Sequence, residues 1–168
     1  MDRIRDSIQA AINYLTDHPD EARYVDSAAT AKIEDGLRVR VDGPSGEQIF
    51  TDMPTSVGGA GSAPSPGWLF RASVASCEAT LITMRAAMQG VVLSRLDVTV
   101  ESDSDDRGIL DMSESVPSGP LQLRIRVHIA SRGASRAQLA EIAYWGDRHC
   151  PVADGARRAV STTFEIAD

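Results

Sequence analysis

The sequence predicts an α+β fold, and three observations carry the prediction. Apolar and polar residues alternate with the period of a strand in several separate stretches, as in Leu37, Val39 and Val41 against Arg38 and Arg40. A strong hairpin signal, Asp35-Gly36, joins the first two strand-like stretches directly. One long run rich in small residues, Trp68 to Met88, carries apolar residues on more than one face, the pattern of a helix buried on several sides. Meanders without a regular strand–helix alternation separate this class from a parallel α/β sheet.

Residues 1–18 read as an amphipathic helix, with Ile4, Ile8, Ala11, Ile12 and Leu15 recurring at spacings of three and four. Two roles stand for it: an extension that packs on a partner surface, or a cover for its own domain's core. Pro19, in the polar break from His18 to Glu21, helps to stop it. Tyr24 to Ile33 and Leu37 to Asp42 read as strands. After the turn Gly43-Pro44-Ser45-Gly46, Glu47 to Thr51 reads as a short third strand. Met53 to Pro66 holds Gly58, Gly59, Gly61, Pro54, Pro64 and Pro66. Such a loop inside a compact domain is usually functional, and glycine lets backbone approach a ligand or another segment. It lacks the spacing of a phosphate loop.

The helix from Trp68 to Met88 ends at Gly90, which suits a left-handed cap. Leu93 to Glu101 alternates as a strand, Ser102 to Gly119 is polar and loop-like, and Leu121 to Ile129 is the cleanest strand pattern in the chain. Ser135 N-caps a helix running to Trp145. Cys150-Pro151 precedes a short helix around Val152 to Arg157, and Val160 to Ile166 reads as a last strand.

At 168 residues, 42% hydrophobic and 24% charged, the chain suits one folded domain and not a disordered segment. A formal net charge of −7 argues against a broad nucleic-acid surface and against docking on anionic lipid. The N-terminus has no continuous apolar core of a signal peptide. Arg71, Glu78 and Arg85 interrupt the most apolar stretch at depths unsuited to a bilayer span. The expectation is a cytoplasmic protein with no membrane and no nucleic-acid partner, whose two cysteines are thiols or redox-active groups and not a permanent staple.

Those cysteines, Cys77 and Cys150, carry the main chemical interest. The absence of a Cys-x-x-Cys pair excludes a thioredoxin-like motif and a zinc knuckle, and no His, Cys or carboxylate spacing reads as a metal site. Spacing alone leaves two readings open: inert core thiols, or reactive ones. His18 and His128 lie in polar settings. His149 precedes Cys150, as a thiol-activating base or as a solvated histidine at a helix end.

Two separated motifs resemble the OsmC/Ohr family of organic-hydroperoxide-resistance proteins. The first is Gly58-Gly59-Ala60-Gly61 with Pro64-Ser65-Pro66-Gly67-Trp68-Leu69-Phe70, leading into a helix that bears Cys77. The second is Cys150-Pro151-Val152 after a helix. The resemblance covers about residues 24–168, which leaves 1–23 as an N-terminal helical extension. It implies an OsmC-like fold, antiparallel sheets packed on a long buried central helix, in an intertwined homodimer. It also implies a thiol peroxidase. Cys77 is then the peroxidatic thiolate that attacks the O–O bond, releases the alcohol and becomes a sulfenic acid. Cys150 condenses with it to a disulfide, and an external dithiol of lipoyl or thioredoxin type restores the thiols. Sulfur is the redox group, so neither metal nor other cofactor is implied. The family's active-site arginine corresponds to Arg38, with Arg40 as the alternative. Trp68, Phe70 and Met84 are the implied apolar lining for an organic hydroperoxide.

One departure stands out. The family places a glutamate two residues before the Leu-Phe pair, where it orients the arginine. Gly67 stands there in this chain. Glu47 and Asp52 are candidate replacements, and Glu78 is discounted because neighbours on a helix do not face each other. The departure keeps a second reading open: an OsmC-like binding or redox-sensing protein with little peroxidase turnover.

Overall fold

The structure, a computed structural model, describes residues 2–167. Its elements are α1 (Asp2–Asp17), β1 (Thr30–Asp35), β2 (Arg38–Asp42), β3 (Gln48–Thr51), α2 (Pro66–Met88), β4 (Arg95–Asp103), α3 (Asp106–Ile109), β5 (Gln122–Ala130), α4 (Arg136–His149) and α5 (Pro151–Arg157). The fold is α+β, with two antiparallel sheets, β1-β2-β3 and β4-β5. Residues divide into two compact units. One is Gln9–Ala72; the other holds Ser73 onward together with the residues up to Ile8.

In the first of these units, β1 and β2 join at Gly36, whose φ of +54° is cheap for glycine and strained for a side chain. Pairing runs from Thr30↔Asp42 to Ile33↔Val39 and then shifts register before Asp35↔Arg38. β2 pairs next with β3, Arg40 facing Phe50. The glycine-rich segment folds back beside β3. Asp52 donates its amide to Pro64 O, and Gly61 donates to Met53 O. Gly59 is required there, because a Cβ would lie 1.9 Å from the Met53 carbonyl oxygen.

The second unit is a two-layer packing. β4 and β5 pair over nine residues each, with Leu96↔Ile129, Val98↔Val127 and Val100↔Ile125 on one face. That face packs on Ile82, Ala86, Val91, Leu139 and Ile142, the buried cluster contributed largely by α2 and α4. α2 ends in a Schellman arrangement: Gly90 at φ +68° donates to Ala87 O, and Val91 donates to Ala86 O. Ser135 caps α4, its side chain accepting from the Gln138 amide.

Three expectations are corrected. The strand over Tyr24 to Ile33 begins only at Thr30, and Tyr24 and Val25 are strongly exposed. No strand forms over Val160 to Ile166. Alternation supplies a side-chain pattern, but a strand exists only where a neighbour completes its hydrogen-bond ladder, and no described residue pairs with this segment. The third concerns α2. Its fully buried residues are Val74, Glu78, Ile82, Ala86 and Ala87, close to a single i, i+4 stripe, and its other faces keep partial exposure in this chain.

Candidate active site: a thiol pair and a buried carboxyl

α2 and α4 run antiparallel, and the contacts between them fix where the thiols lie. Near one end, Arg85 pairs with Glu141 at 2.7 Å and Gln89 donates to the same carboxylate at 2.6 Å. The Arg85 guanidinium also lies 5.2 Å from the centre of the Trp145 ring. One turn on, Gly146 meets Ile82. A Cβ at Gly146 would stand 2.5 Å from Ile82 Cγ1 and 3.0 Å from its backbone nitrogen, so only glycine permits this approach. A further turn brings Cys150, just past the end of α4, to Cys77 of α2. The two thiols are near enough for Cys77 to disfavour the Cys150 thiolate.

Their surroundings differ. Cys77 is partly buried and Cys150 is fully buried. The Cys150 sulfur caps α5, accepting from the Ala153 amide at 3.4 Å. That donor favours the thiolate, but burial outweighs it and pushes the Cys150 thiol up to about 12. Hydrogen bonding with Cys77 and the nearby Glu78 charge act in the same direction as burial.

Glu78 is the residue the sequence reading discounted. It does not face Cys77, as helix geometry requires; it stands one turn before Ile82, on the seam where α2 meets α4. Its side chain is fully buried, and neither carboxyl oxygen has a hydrogen bond of good geometry. Burial, then the Asp147 charge, hold Glu78 above the ordinary carboxylate range; the Cys150 thiol and Arg157 oppose this. Asp147 is itself anchored by Arg157, which donates to its carboxylate and, at 3.0 Å, to its backbone carbonyl. The signal for Glu78 was present in the sequence as a charged residue on the stripe Val74, Glu78, Ile82, Ala86, which is otherwise apolar. His149, by contrast, is exposed, stacks on Trp145 and bonds the Trp145 carbonyl at 2.7 Å through Nδ1.

The other unit holds Arg38, Arg40, Trp68 and Phe70. Arg38 lies over the Phe50 ring, 4.6 Å from its centre, and donates to Ser62 Oγ at 2.8 Å. Ser62 in turn donates its amide and its hydroxyl to Asp52, each at 2.9 Å. Asp52 is buried and accepts a third bond from the Met53 amide, and these donors, Ser62 first, hold it below the usual carboxylate range. Of the two candidate replacements, Asp52 therefore connects to Arg38 through Ser62. Glu47 instead accepts from the Ser45 amide in the turn before β3. A residue not singled out, Glu34, pairs directly with both arginines, at 3.3 Å with Arg38 and 3.4 Å with Arg40. Trp68 is half exposed and Phe70 partly buried. Met84, in the unit with the thiols, is partly buried.

A family model described as OsmC-like protein matches residues 59–165, which include both cysteine motifs. The chain belongs to the OsmC-like family. Solved structures of the same fold include an organic hydroperoxide resistance protein OsmC from Legionella pneumophila, 22% identical, with a TM-score of 0.58 over 80% of this chain and 91% of that one. An OsmC-like protein from Mycoplasma pneumoniae is 15% identical, with a TM-score of 0.67 over 80% and 89%. An OsmC-like protein of unknown function from Vibrio cholerae is 13% identical, with a TM-score of 0.65 over 79% and 94%. No curated protein matches the chain. At these identities the likeness establishes the OsmC-like fold. Among the described residues no group of three or more metal-ligating side chains converges, and no helix is long and apolar enough to cross a membrane.

Proposed function

We propose that this OsmC-like protein is a cysteine-based peroxidase that reduces organic hydroperoxides to alcohols. The observation that carries the reading is the meeting of Cys77, partly exposed, with Cys150, buried behind it. The Cys77 thiolate attacks one peroxide oxygen and the O–O bond breaks. The alkoxide takes a proton and leaves as the alcohol, and Cys77 becomes a sulfenic acid. Cys150 attacks that sulfur, water leaves, and a disulfide joins the two residues. A dithiol of lipoyl or thioredoxin type exchanges with it, restores both thiols and is itself oxidised. Arg38 is the cation proposed to stabilise the developing alkoxide, and Trp68, Phe70 and Met84 the apolar lining for the organic group. Relatives named as organic hydroperoxide resistance proteins support the substrate class. The proposed working unit is a cytoplasmic homodimer of the domain spanning residues 24–168, with 1–23 as an extension.

Turnover of cumene hydroperoxide with a dithiol is expected to vanish in Cys77→Ser. Cys150→Ser is expected to complete one oxidation and hold a sulfenic acid that dimedone traps. Unchanged turnover in Cys77→Ser rejects the assignment. The second reading, a binding or redox-sensing protein, is favoured by Gly67, which removes a carboxylate beside the arginine in the family pattern. Gly67 has open space, its nearest neighbour being Arg71 Nη1 at 3.9 Å from a built Cβ. Gly67→Glu is therefore tolerated sterically and is expected to raise turnover about ten-fold by better positioning of Arg38. No response in steady-state assays favours the binding reading.

A further inference from the structure

The peroxidase reading leaves one chemical problem unsolved. Cys150 is fully buried, and burial disfavours its thiolate, yet the thiolate is the attacking species in disulfide formation. A base beside Cys150 removes the difficulty. Glu78 is placed for this by the helix seam: Ile82 meets Gly146, Glu78 stands one turn before Ile82 and Cys150 one turn beyond Gly146, and the Glu78 carboxyl is fully buried with no hydrogen-bond partner. A buried carboxylate left without partners is costly, so its persistence on the core stripe of α2 calls for an explanation beyond packing.

We propose that Glu78 is a catalytic residue of disulfide formation, the general base for Cys150. The inference rests on the reading of Cys150 as the resolving thiol. The Glu78 carboxylate takes the proton from the Cys150 sulfur, and the thiolate attacks the Cys77 sulfur. As the S–O bond of the sulfenic acid breaks, the departing hydroxide takes a proton from solvent at the partly exposed Cys77 and leaves as water. One S–S bond forms, one S–O bond breaks, and Glu78 gives its proton back to solvent. Asp147 acts as a positioning residue. Burial first, and then the Asp147 charge, keep the Glu78 carboxyl a stronger base than an ordinary glutamate, and Arg157, which holds Asp147, opposes this. The other titratable and charged groups on this side are Cys77 of α2, Arg157 of α5, and Arg95, His128, Arg136 and Tyr144, which line with Glu78 and Asp147 a cleft of about 720 Å³.

The test needs no hydroperoxide, so its failure and failure of the peroxidase reading are separable. Dithiodipyridine captures Cys77 as a mixed disulfide and releases one thione; Cys150 then attacks the Cys77 sulfur and releases a second. In Cys150→Ser only the first release is expected. In Glu78→Gln the first release is expected at the wild-type rate, while the second slows by about a hundred-fold or more at neutral pH. The rise of the wild-type second phase with pH through the Glu78 titration should be absent in that variant, leaving only the dependence on direct ionisation of Cys150. Asp147→Asn is expected to keep this rise but move it to lower pH. A second phase in Glu78→Gln with the wild-type rate and pH profile overturns the proposal. So does equal slowing of both phases, which marks a structural role. If Glu78→Gln does not fold, Asp147→Asn decides: an unmoved pH profile also overturns it.

Discussion

Two buried carboxyls in this chain are held on opposite sides of their ordinary range, and the reason is local. Asp52 accepts three hydrogen bonds and is favoured in its charged form. Glu78 has desolvation and a like charge against it and is favoured in its neutral form. The stability consequences have opposite sign. Asp52 contributes stability that is present above the unfolded value of 3.8 and is lost as pH falls through its lowered folded value. Glu78 carries no ionisation penalty below 4.5, and a growing one as pH rises from there to its raised folded value. Asp52→Ala is therefore expected to destabilise by about 2–4 kcal/mol at pH 7, since it leaves Ser62 and Met53 donors unmet. Glu78→Gln is expected to melt higher than wild type at pH 7, with the difference closing below pH 4.5. Thermal melts across pH measure both. A Glu78→Gln gain that persists unchanged into acid contradicts the burial argument.

At the level of elements, the contact of α4 with α2 decides the thiol geometry. The Arg85–Glu141 pair, the Gln89 bond and the Gly146–Ile82 approach lie along one antiparallel seam, and the thiols are its next step. Gly146 is the weak point. A methyl there overlaps Ile82, including its backbone, which a rotamer change cannot relieve. Gly146→Ala is expected to cost about 1–3 kcal/mol by overpacking. It should also slow diamide-driven formation of the Cys77–Cys150 disulfide, because α4 must move away from α2. Wild-type stability together with wild-type cross-linking would show that the seam does not set the sulfur contact. Much of this seam was hidden in the sequence. Ser135, Gly90 and the alternation of β5 are local signals and were legible as such. The closeness of Gly146 to Ile82 joins residues 64 positions apart, and no local pattern encodes it.

For the whole molecule, apolar side chains are left in water by both units. Val25 is 96% exposed, Phe164 90% and Ile166 87%. Ile12, Tyr14 and Leu15 on α1 are also exposed, and no residue of α1 is fully buried. Soluble chains rarely leave so much apolar surface uncovered without a partner. This supports the proposed dimer. Light scattering is expected to give twice the mass of one chain, and Phe164→Asp is expected to shift the protein toward monomer without altering the single-chain fold. A fully active wild-type monomer would refute this.

The amino-acid sequence alone determined the fold class, most of the elements and the family motifs around Cys77 and Cys150, because periodicity, capping and turn chemistry act over a few residues. Tertiary structure decided which side chains meet. It set the Cys77 thiol beside Cys150, buried the Glu78 carboxyl without a hydrogen-bond partner and linked Asp52 through Ser62 to Arg38. It also left the closing segment unpaired. These are consequences of packing and of the environment that packing creates: whether a group is desolvated, and which distant group faces it, depends on elements far along the chain.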